Sequence, residues 1–154
     1  MRIGFDMLAV QSPQNGPRGI GRYSQQLVSA LLARDDGHEY FLYAHADRPT
    51  SRIPSGPRAH LRSLSAATAA DGPGAAQRVD QLARENPDGL DALVVLSPFE
   101  LWSGYCPPAQ PDNGLKLAAI IYDMIPFLSP RDDAPDASLM RHYRVLEDLK
   151  RYDA

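Results

Sequence analysis

A glycine-rich stretch close to the amino terminus has the composition of an anion-binding loop. It reads GPRGIGRY (residues 16–23), and its glycines, Gly16, Gly19 and Gly21, stand between an apolar run and a helical pattern. Such a loop leaves backbone N–H groups free and directs a helix N-terminus at a ligand, which is how several folds bind phosphate. Its spacing, G-x-x-G-x-G, matches neither the dinucleotide fingerprint G-x-G-x-x-G nor the P-loop. Taken alone, the glycines fit a phosphate site and a tight turn with close helix packing equally well.

Two arginines beside these glycines favour the phosphate interpretation. Arg18 and Arg22 flank Gly19 and Gly21, and guanidinium groups next to a helix start can hold a phosphate by paired hydrogen bonds. For Arg18, a solvated place on the surface is an equally good alternative. The predicted binding residues of this loop are therefore Gly19, Gly21 and Arg22.

A second group of polar residues follows the two most apolar runs of the chain, which end at LSPFE (residues 96–100) and YDMIP (residues 122–126). Ligands of open α/β sheets bind outside the carboxyl ends of the strands, so we expect both groups and the glycines at one edge. Acidic side chains there can orient sugar hydroxyls or act in acid–base chemistry, although Asp123 could instead cap a turn before Pro126. The candidate residues of this group are Ser97, Glu100, Tyr122 and Asp123.

Other kinds of site find less support. The sequence around Ser97 reads SPF and not G-x-S-x-G, so a serine hydrolase is not indicated. The one cysteine, Cys106, cannot form an intrachain disulfide or a cysteine zinc cluster. The histidines lack the spacing of metal ligands, so no metal is expected, and we expect them on the surface or at loop ends. They are His38, His45, His60 and His142.

Composition narrows the class of protein. With 154 residues, 44% of them hydrophobic, the chain suits one domain with its own core. A formal net charge of -3 disfavours nucleic acid as a partner. The start, MRIGFDMLAV, is unlike a secretory signal, and no window approaches the roughly 20 apolar residues of a membrane span. The single cysteine fits a reducing compartment, so the cytoplasm is the expected location, with peripheral attachment to a membrane surface left open.

The hydrophobic pattern predicts alternating strands and helices. Short apolar runs predict strands at residues 2–7, 39–44, 60–64, 90–96 and 115–122. Helical spacing predicts helices from Tyr23 until Asp35, over residues 75–86 and over residues 139–152. The last two apolar runs are continuous, as in parallel strands buried on both faces. We therefore expect an α/β, Rossmann-like, doubly wound domain, with a mostly parallel sheet and helices on both faces.

The same spacing predicts which helical side chains face the core. In the first helix they are Tyr23, Leu27, Ala30 and Leu31, and in the second Val79, Leu82 and Ala83. In the last helix, one face carries Leu139, Tyr143, Leu146, Leu149 and Tyr152. The composition of residues 65–74 predicts a flexible link. A doubly wound sheet would continue with a strand after the last helix, so we expect the chain to be a fragment of a longer protein or a separately made domain.

In this order, several segments resemble a known family. They are RGIGRYSQQLVSALL after MRIGFDM, then LVVLSPFE, then IIYDMIPFLSP, followed by a helix that ends LKRYDA. Together they resemble the N-terminal domain of a family 4 glycosyltransferase of the GT-B fold, along almost the whole chain. On this resemblance, residues 1–154 are an acceptor-side domain, and the donor-binding C-terminal domain would lie outside them.

The resemblance implies a retaining, metal-independent transferase, without a cofactor, that moves a hexose from a nucleotide diphosphate sugar to a glycan or lipid-linked acceptor. The reaction takes place in the cleft between the two domains. The glycine loop approaches the donor's phosphates or reacting sugar, a role that falls here on Gly19 and Gly21. Many members have His-Asp where this chain has Tyr122 and Asp123. Tyrosine does not hold a proton near neutral pH as imidazole does, so the identity of the donor is open at this position.

Two other classes of function stay open. The chain is alternatively a non-catalytic Rossmann-like module that binds a nucleotide or a sugar, and tight binding by this domain alone would indicate that. A third alternative is a structural or interaction protein that uses its last helix as a contact surface. A reading frame that continues into a second α/β domain would disfavour the third alternative.

Overall fold

The computed structural model describes residues 1–64, 74–99, 107–122 and 137–153. The strands of this part are β1 (Arg2–Asp6), β2 (Glu39–His45), β3 (Ala59–Leu64), β4 (Ala92–Val95) and β5 (Lys116–Ala119). The helices are α1 (Leu8–Gln11), α2 (Gly19–Leu32), α3 (Gly74–Glu85) and α4 (Ala137–Leu149). None of these helices is long and apolar enough to cross a membrane.

The five strands form one sheet in the order β3-β2-β1-β4-β5, and every neighbouring pair is parallel. Strand β1 lies in the middle, where Phe5 is paired with Leu42 on one side and with Val94 on the other. Strands β2 and β3 lie on one side of β1, and β4 and β5 lie on the other. The strand order therefore reverses between the neighbours β1 and β4, and open α/β sheets form their ligand crevice at such a point. The predicted fold class, α/β with a parallel sheet, is confirmed.

Side chains that alternate along the strands build two core layers. On one face, Phe5 and Leu42 pack with Val28 of α2. On the other face, Tyr43 and Leu93 pack with residues of α3. The inward residues predicted for α3 are confirmed: Val79, Leu82 and Ala83 are all buried. Helices therefore cover both faces of the sheet, as expected.

Helix α2 differs from the prediction in where it begins and which side it buries. It begins at Gly19 rather than at Tyr23, and its buried residues are Gly21, Ser24 and Val28. Tyr23 is 55% exposed, so its predicted place in the core is wrong. The small residues Gly21 and Ser24 allow this side of the helix to approach the loop before it, and that approach turns Tyr23 outward.

Two further features of the fold were not expected. Helix α1 is a short buried turn directly after β1, too short to produce a helical period in the sequence. Among the α4 side chains that the structure describes, residues 143–149, Val145 is buried, whereas Tyr143 on the predicted apolar face is 44% exposed. The flexible link expected at residues 65–74 lies outside the described residues except for Gly74, which begins α3.

The segment after α4 is joined to β5. The Asp153 amide donates to the Leu117 carbonyl at 3.0 Å, and the Leu117 amide donates to the Asp153 carboxylate at 3.1 Å. The Tyr152 hydroxyl donates to the carbonyl of Pro108 at 2.6 Å. Burial raises the pKa of Tyr152, with nearby carboxylates acting in the same direction. These bonds anchor the segment after α4 beside the outer strand of this half of the sheet.

Candidate functional site

The glycine-rich stretch forms a compact loop between α1 and α2. The amide of Gly16 donates to the carbonyl of Ser12 at 2.8 Å. The carbonyl of Asn15 accepts from the amides of Arg18 at 2.9 Å and Gly21 at 3.2 Å. The loop therefore satisfies several of its backbone groups internally before the helix begins.

Close packing explains two of the three glycines. A Cβ on Gly16 would lie 2.5 Å from the Ser12 carbonyl oxygen and 2.6 Å from that of Val10. A Cβ on Gly21 would meet the Cα of Gly16 and lie 2.5 Å from the carbonyl oxygen of Asn15. Neither glycine has a positive φ, so both are required for lack of volume rather than for conformational freedom. The contacts of Gly21 are internal to the loop.

Gly19 has a different environment. It is exposed, and a Cβ placed on it would meet nothing within 4 Å. It begins α2 behind Arg18, whose side chain makes no capping hydrogen bond. Among the described residues, no acceptor faces the amides of Gly19 and Ile20. Unpaired N–H groups at a helix start carry partial positive charge and attract anions.

The two predicted arginines stand beside this helix start. Arg18 and Arg22 are both exposed. Within residues 1–64, 74–99, 107–122 and 137–153, neither guanidinium has a carboxylate within ion-pair distance. Their charge therefore adds to that of the Gly19 and Ile20 amides on the solvent side of the loop.

Tyr122 packs against the first turns of α2. Its hydroxyl lies 2.9 Å from the Oγ of Ser24, and either atom can donate. Its ring lies 5.1 Å from the ring of Tyr23 at an interplanar angle of 79°. Burial, as the largest influence, raises the pKa of Tyr122 above its ordinary value. The glycine loop and the segment after β5, predicted to meet at the carboxyl edge of the sheet, are thus in contact through α2.

Of the other predicted site residues, one is buried and two lie outside the described part of the chain. Ser97 follows β4 closely and is only 7% exposed, so a ligand has little access to its hydroxyl in this conformation. Glu100 and Asp123 lie outside the described residues, and their predicted roles stay predictions. We call the start of α2 together with Tyr122 the rim: Gly19 and Arg22 are exposed there, and Tyr122 is half-buried against Tyr23 and Ser24 of the same helix.

A buried polar network lies below this rim and was not predicted. The Oδ1 of Asp6 accepts from the amide of Leu8 at 3.1 Å and lies 3.1 Å from Nε2 of His45. Asp6 is 2% exposed and His45 is 0% exposed. His45 ends β2 beside a loop, which is one of the two positions expected for the histidines, but it does not lie on the surface. The signal in the sequence was a carboxylate and an imidazole at the ends of two neighbouring parallel strands, where the sheet edge brings such residues together.

Gln11 joins this network to the connection between β2 and β3. Its Oε1 accepts from the amide of His45 at 2.8 Å. Its Nε2 lies 3.2 Å from each of the carbonyl oxygens of His45, Arg48 and Pro49. Both ends of the Gln11 amide are therefore held by backbone groups of one connection.

Neither a metal centre nor a likeness to known proteins assigns a chemistry to this rim. In the described part of the chain, no three side chains of histidine, cysteine, aspartate or glutamate are grouped so that they could hold a metal ion. No protein-family model, no curated protein and no solved structure matches this chain.

Proposed function

We propose that this chain is the acceptor-side N-terminal domain of a retaining, metal-independent glycosyltransferase similar to family 4. It moves a hexose from a nucleotide diphosphate sugar to a glycan or lipid-linked acceptor, together with a C-terminal domain that binds most of the donor. The observation that supports this most directly is the contact of Ser24 with Tyr122 at 2.9 Å. This contact joins the start of α2 to the segment after β5, at the edge where α/β sheets bind ligands.

In this proposal the start of α2 receives the donor's diphosphate. The amides of Gly19 and Ile20 have no acceptor among the described residues, and they point at an approaching anion as helix starts do. The open space beside Gly19 allows a phosphate to reach the backbone. Arg22 adds a guanidinium that can bind phosphate oxygens by two hydrogen bonds. Gly21 supports this arrangement from inside the loop.

Tyr122 serves the sugar end of the donor. A phenolic hydroxyl both donates and accepts, so its contact with Ser24 leaves a second hydrogen bond for a sugar hydroxyl. Because burial raises the pKa of Tyr122, the hydroxyl keeps its proton at ordinary pH. Tyr122 therefore orients a sugar by hydrogen bonding and does not act as the proton carrier that an imidazole could be. Asp123 is proposed to bind a neighbouring hydroxyl.

The proposal also covers the place of the reaction. The chain has one cysteine, which fits the reducing cytoplasm. A lipid-linked acceptor would bring the protein to the inner face of a membrane. Vesicle co-sedimentation with and without the acceptor lipid measures this association directly.

Gly19→Ala in the full-length protein tests the phosphate role. Since nothing lies within 4 Å of the new methyl group, we expect an unchanged or slightly higher free energy of unfolding. We expect the KM for the nucleotide sugar to rise about tenfold or more, because the methyl group separates phosphate from the amides. Gly56→Ala is the matched control, because its nearest neighbour would be Leu32 Cβ at 3.5 Å, and it should leave both quantities unchanged.

The measurement is sugar transfer from a panel of nucleotide diphosphate hexoses, with isothermal titration of each donor alongside. Unchanged kinetics in Gly19→Ala would exclude the phosphate role of the loop. Tight donor binding by the described domain alone, with no transfer by the full-length protein, would favour the non-catalytic binding module instead.

A further inference from the structure

We propose that Asp6, His45 and Gln11 are positioning residues that fix the glycine loop at the carboxyl edge of the sheet. The structural part of this inference rests on contacts alone, and its consequence for donor binding rests on the proposed function. None of the three side chains is available to a ligand, because each is at most 5% exposed. Their effect on a ligand is therefore exerted through the backbone that they hold.

The contact between Asp6 and His45 has a defined direction. The amide of Leu8 can only donate, so the Oδ1 of Asp6 acts as an acceptor there, and it lies 3.1 Å from both Leu8 N and His45 Nε2. A carboxylate oxygen only accepts, so the His45 tautomer that carries its hydrogen on Nε2 is the one that completes this contact. The other ring nitrogen, Nδ1, is buried without a hydrogen-bond partner among the described residues. One carboxylate oxygen thus fixes the start of α1 and the end of β2 together.

Gln11 makes the second attachment between the same two segments. Its side chain leaves α1 and binds the amide of His45 and three carbonyl oxygens of the β2–β3 connection. Buried amide groups with all their partners satisfied are costly to move, because each lost hydrogen bond leaves a desolvated polar group. Helix α1 is therefore held at both of its ends, by Asp6 at the start and by Gln11 at the finish.

Backbone contact carries this constraint to the start of α2. The carbonyls of Val10 and Ser12, in and just after α1, abut Gly16 so closely that no Cβ fits there. Gly16 in turn abuts Gly21 in the first turn of α2. Since packed groups without intervening space move together, a shift of α1 displaces the amides of Gly19 and Ile20. The network below the rim therefore sets the position of the proposed phosphate site.

Substitutions at His45 separate positioning from simple stabilisation. His45→Leu removes the donor to Asp6 while keeping an apolar volume, whereas His45→Gln keeps an N–H group at a similar reach. In the full-length protein, we expect His45→Leu to raise amide hydrogen exchange in residues 12–22 about tenfold or more. We expect the donor KM to rise about tenfold, with kcat within about threefold of wild type. His45→Gln should restore both quantities most of the way.

The control removes a partly buried hydrogen bond whose acceptor lies at the amino edge of the sheet. Tyr43→Phe loses the hydroxyl that donates to Asp88 at 2.7 Å, in the connection that precedes β4 and so at the opposite edge. It should lower stability without changing exchange in residues 12–22. If His45→Leu does not fold, Gln11→Met supplies the same comparison, because it removes the second attachment and keeps the volume.

The outcomes distinguish this inference from the proposed function. If residues 12–22 exchange as slowly in His45→Leu and Gln11→Met as in wild type, or if Tyr43→Phe speeds them equally, the positioning role is overturned. If their exchange rises selectively but the wild-type protein transfers no sugar, the positioning role stands and the glycosyltransferase proposal fails. A fall in kcat with an unchanged KM would also overturn the link to donor binding.

Discussion

Gly19 and Gly21 have different space for a side chain, although only Ile20 separates them in the sequence. A Cβ on Gly21 would collide with the backbone of Gly16 and of Asn15, whereas one on Gly19 would meet open space. The fold therefore explains Gly21 completely. It does not explain Gly19, and a residue whose smallness the fold does not need is a candidate for contact with a ligand.

Gly21→Ala is expected to destabilise the domain. The added methyl group forces the loop away from α2, and overpacking of this kind costs about 1–3 kcal/mol in the free energy of unfolding. The helix propensity of alanine recovers only about 1 kcal/mol of that cost. Urea unfolding of wild type, Gly21→Ala and the control Gly56→Ala measures the difference, and a Gly21→Ala midpoint equal to that of the control would show that the loop relaxes freely.

A tyrosine and an ion pair join two strands of this fold to the connection between α3 and β4. The hydroxyl of Tyr43 in β2 donates to Asp88 at 2.7 Å, and Asp88 also accepts from Arg62 of β3 at 3.0 Å. One carboxylate thus links two strands to the connection before β4. Burial, followed by the Asp88 carboxylate, raises the pKa of Tyr43 above its ordinary value of 10.0.

This raised pKa predicts how stability depends on alkaline pH. Above about pH 10 the unfolded chain loses the Tyr43 proton while the folded chain keeps it, so folding binds more protons and stability falls as pH rises. The stabilisation is fully present below the unfolded pKa and is lost as pH rises through the folded one. We therefore expect the difference in unfolding free energy between wild type and Tyr43→Phe to shrink from about pH 8 to about pH 11. A constant difference across this range would contradict the prediction.

At the level of elements, the sequence predicts the strands and helices that have long apolar runs or a regular helical period. The apolar runs that became β1, β2 and β4 and the spacing of α3 sufficed to place those elements, because burial of their side chains dominates locally. Helix α1 has too few residues for a period. The exposure of Tyr23 and the burial of His45 depend on which loop lies against them, and a local pattern carries no such information. For the same reason the pairing of Ser24 with Tyr122 required the structure.

For the whole molecule, the position of β1 determines where stability is greatest. It is paired on both sides, with β2 and β4, and it leads into the proposed site. Strands β3 and β5 have only one strand partner each among the described residues. The site is therefore attached to the most enclosed strand of the sheet, which suits a rigid binding edge.

Native-state hydrogen exchange should follow this order. We expect the amides of β1, β2 and β4, which are each paired on both sides, to exchange most slowly, at rates close to those of global unfolding, and the amides of β3 to exchange earlier through local opening. Mass spectrometry of exchanged peptides from the full-length protein resolves the strands. Equal protection of β3 and β1 would show that another part of the protein covers the β3 edge.

Gly16 and Gly21 are packed against each other, whereas Gly19 has open space beside it. This difference has a consequence for evolution. A copy of this gene released from selection for activity would still be selected for folding. Such copies should keep glycine at positions 16 and 21 for as long as they encode a folded protein, and should accept alanine or serine at position 19 early. The glycines at positions 16 and 21 would then reflect selection for folding, and the glycine at position 19 would reflect selection for ligand binding.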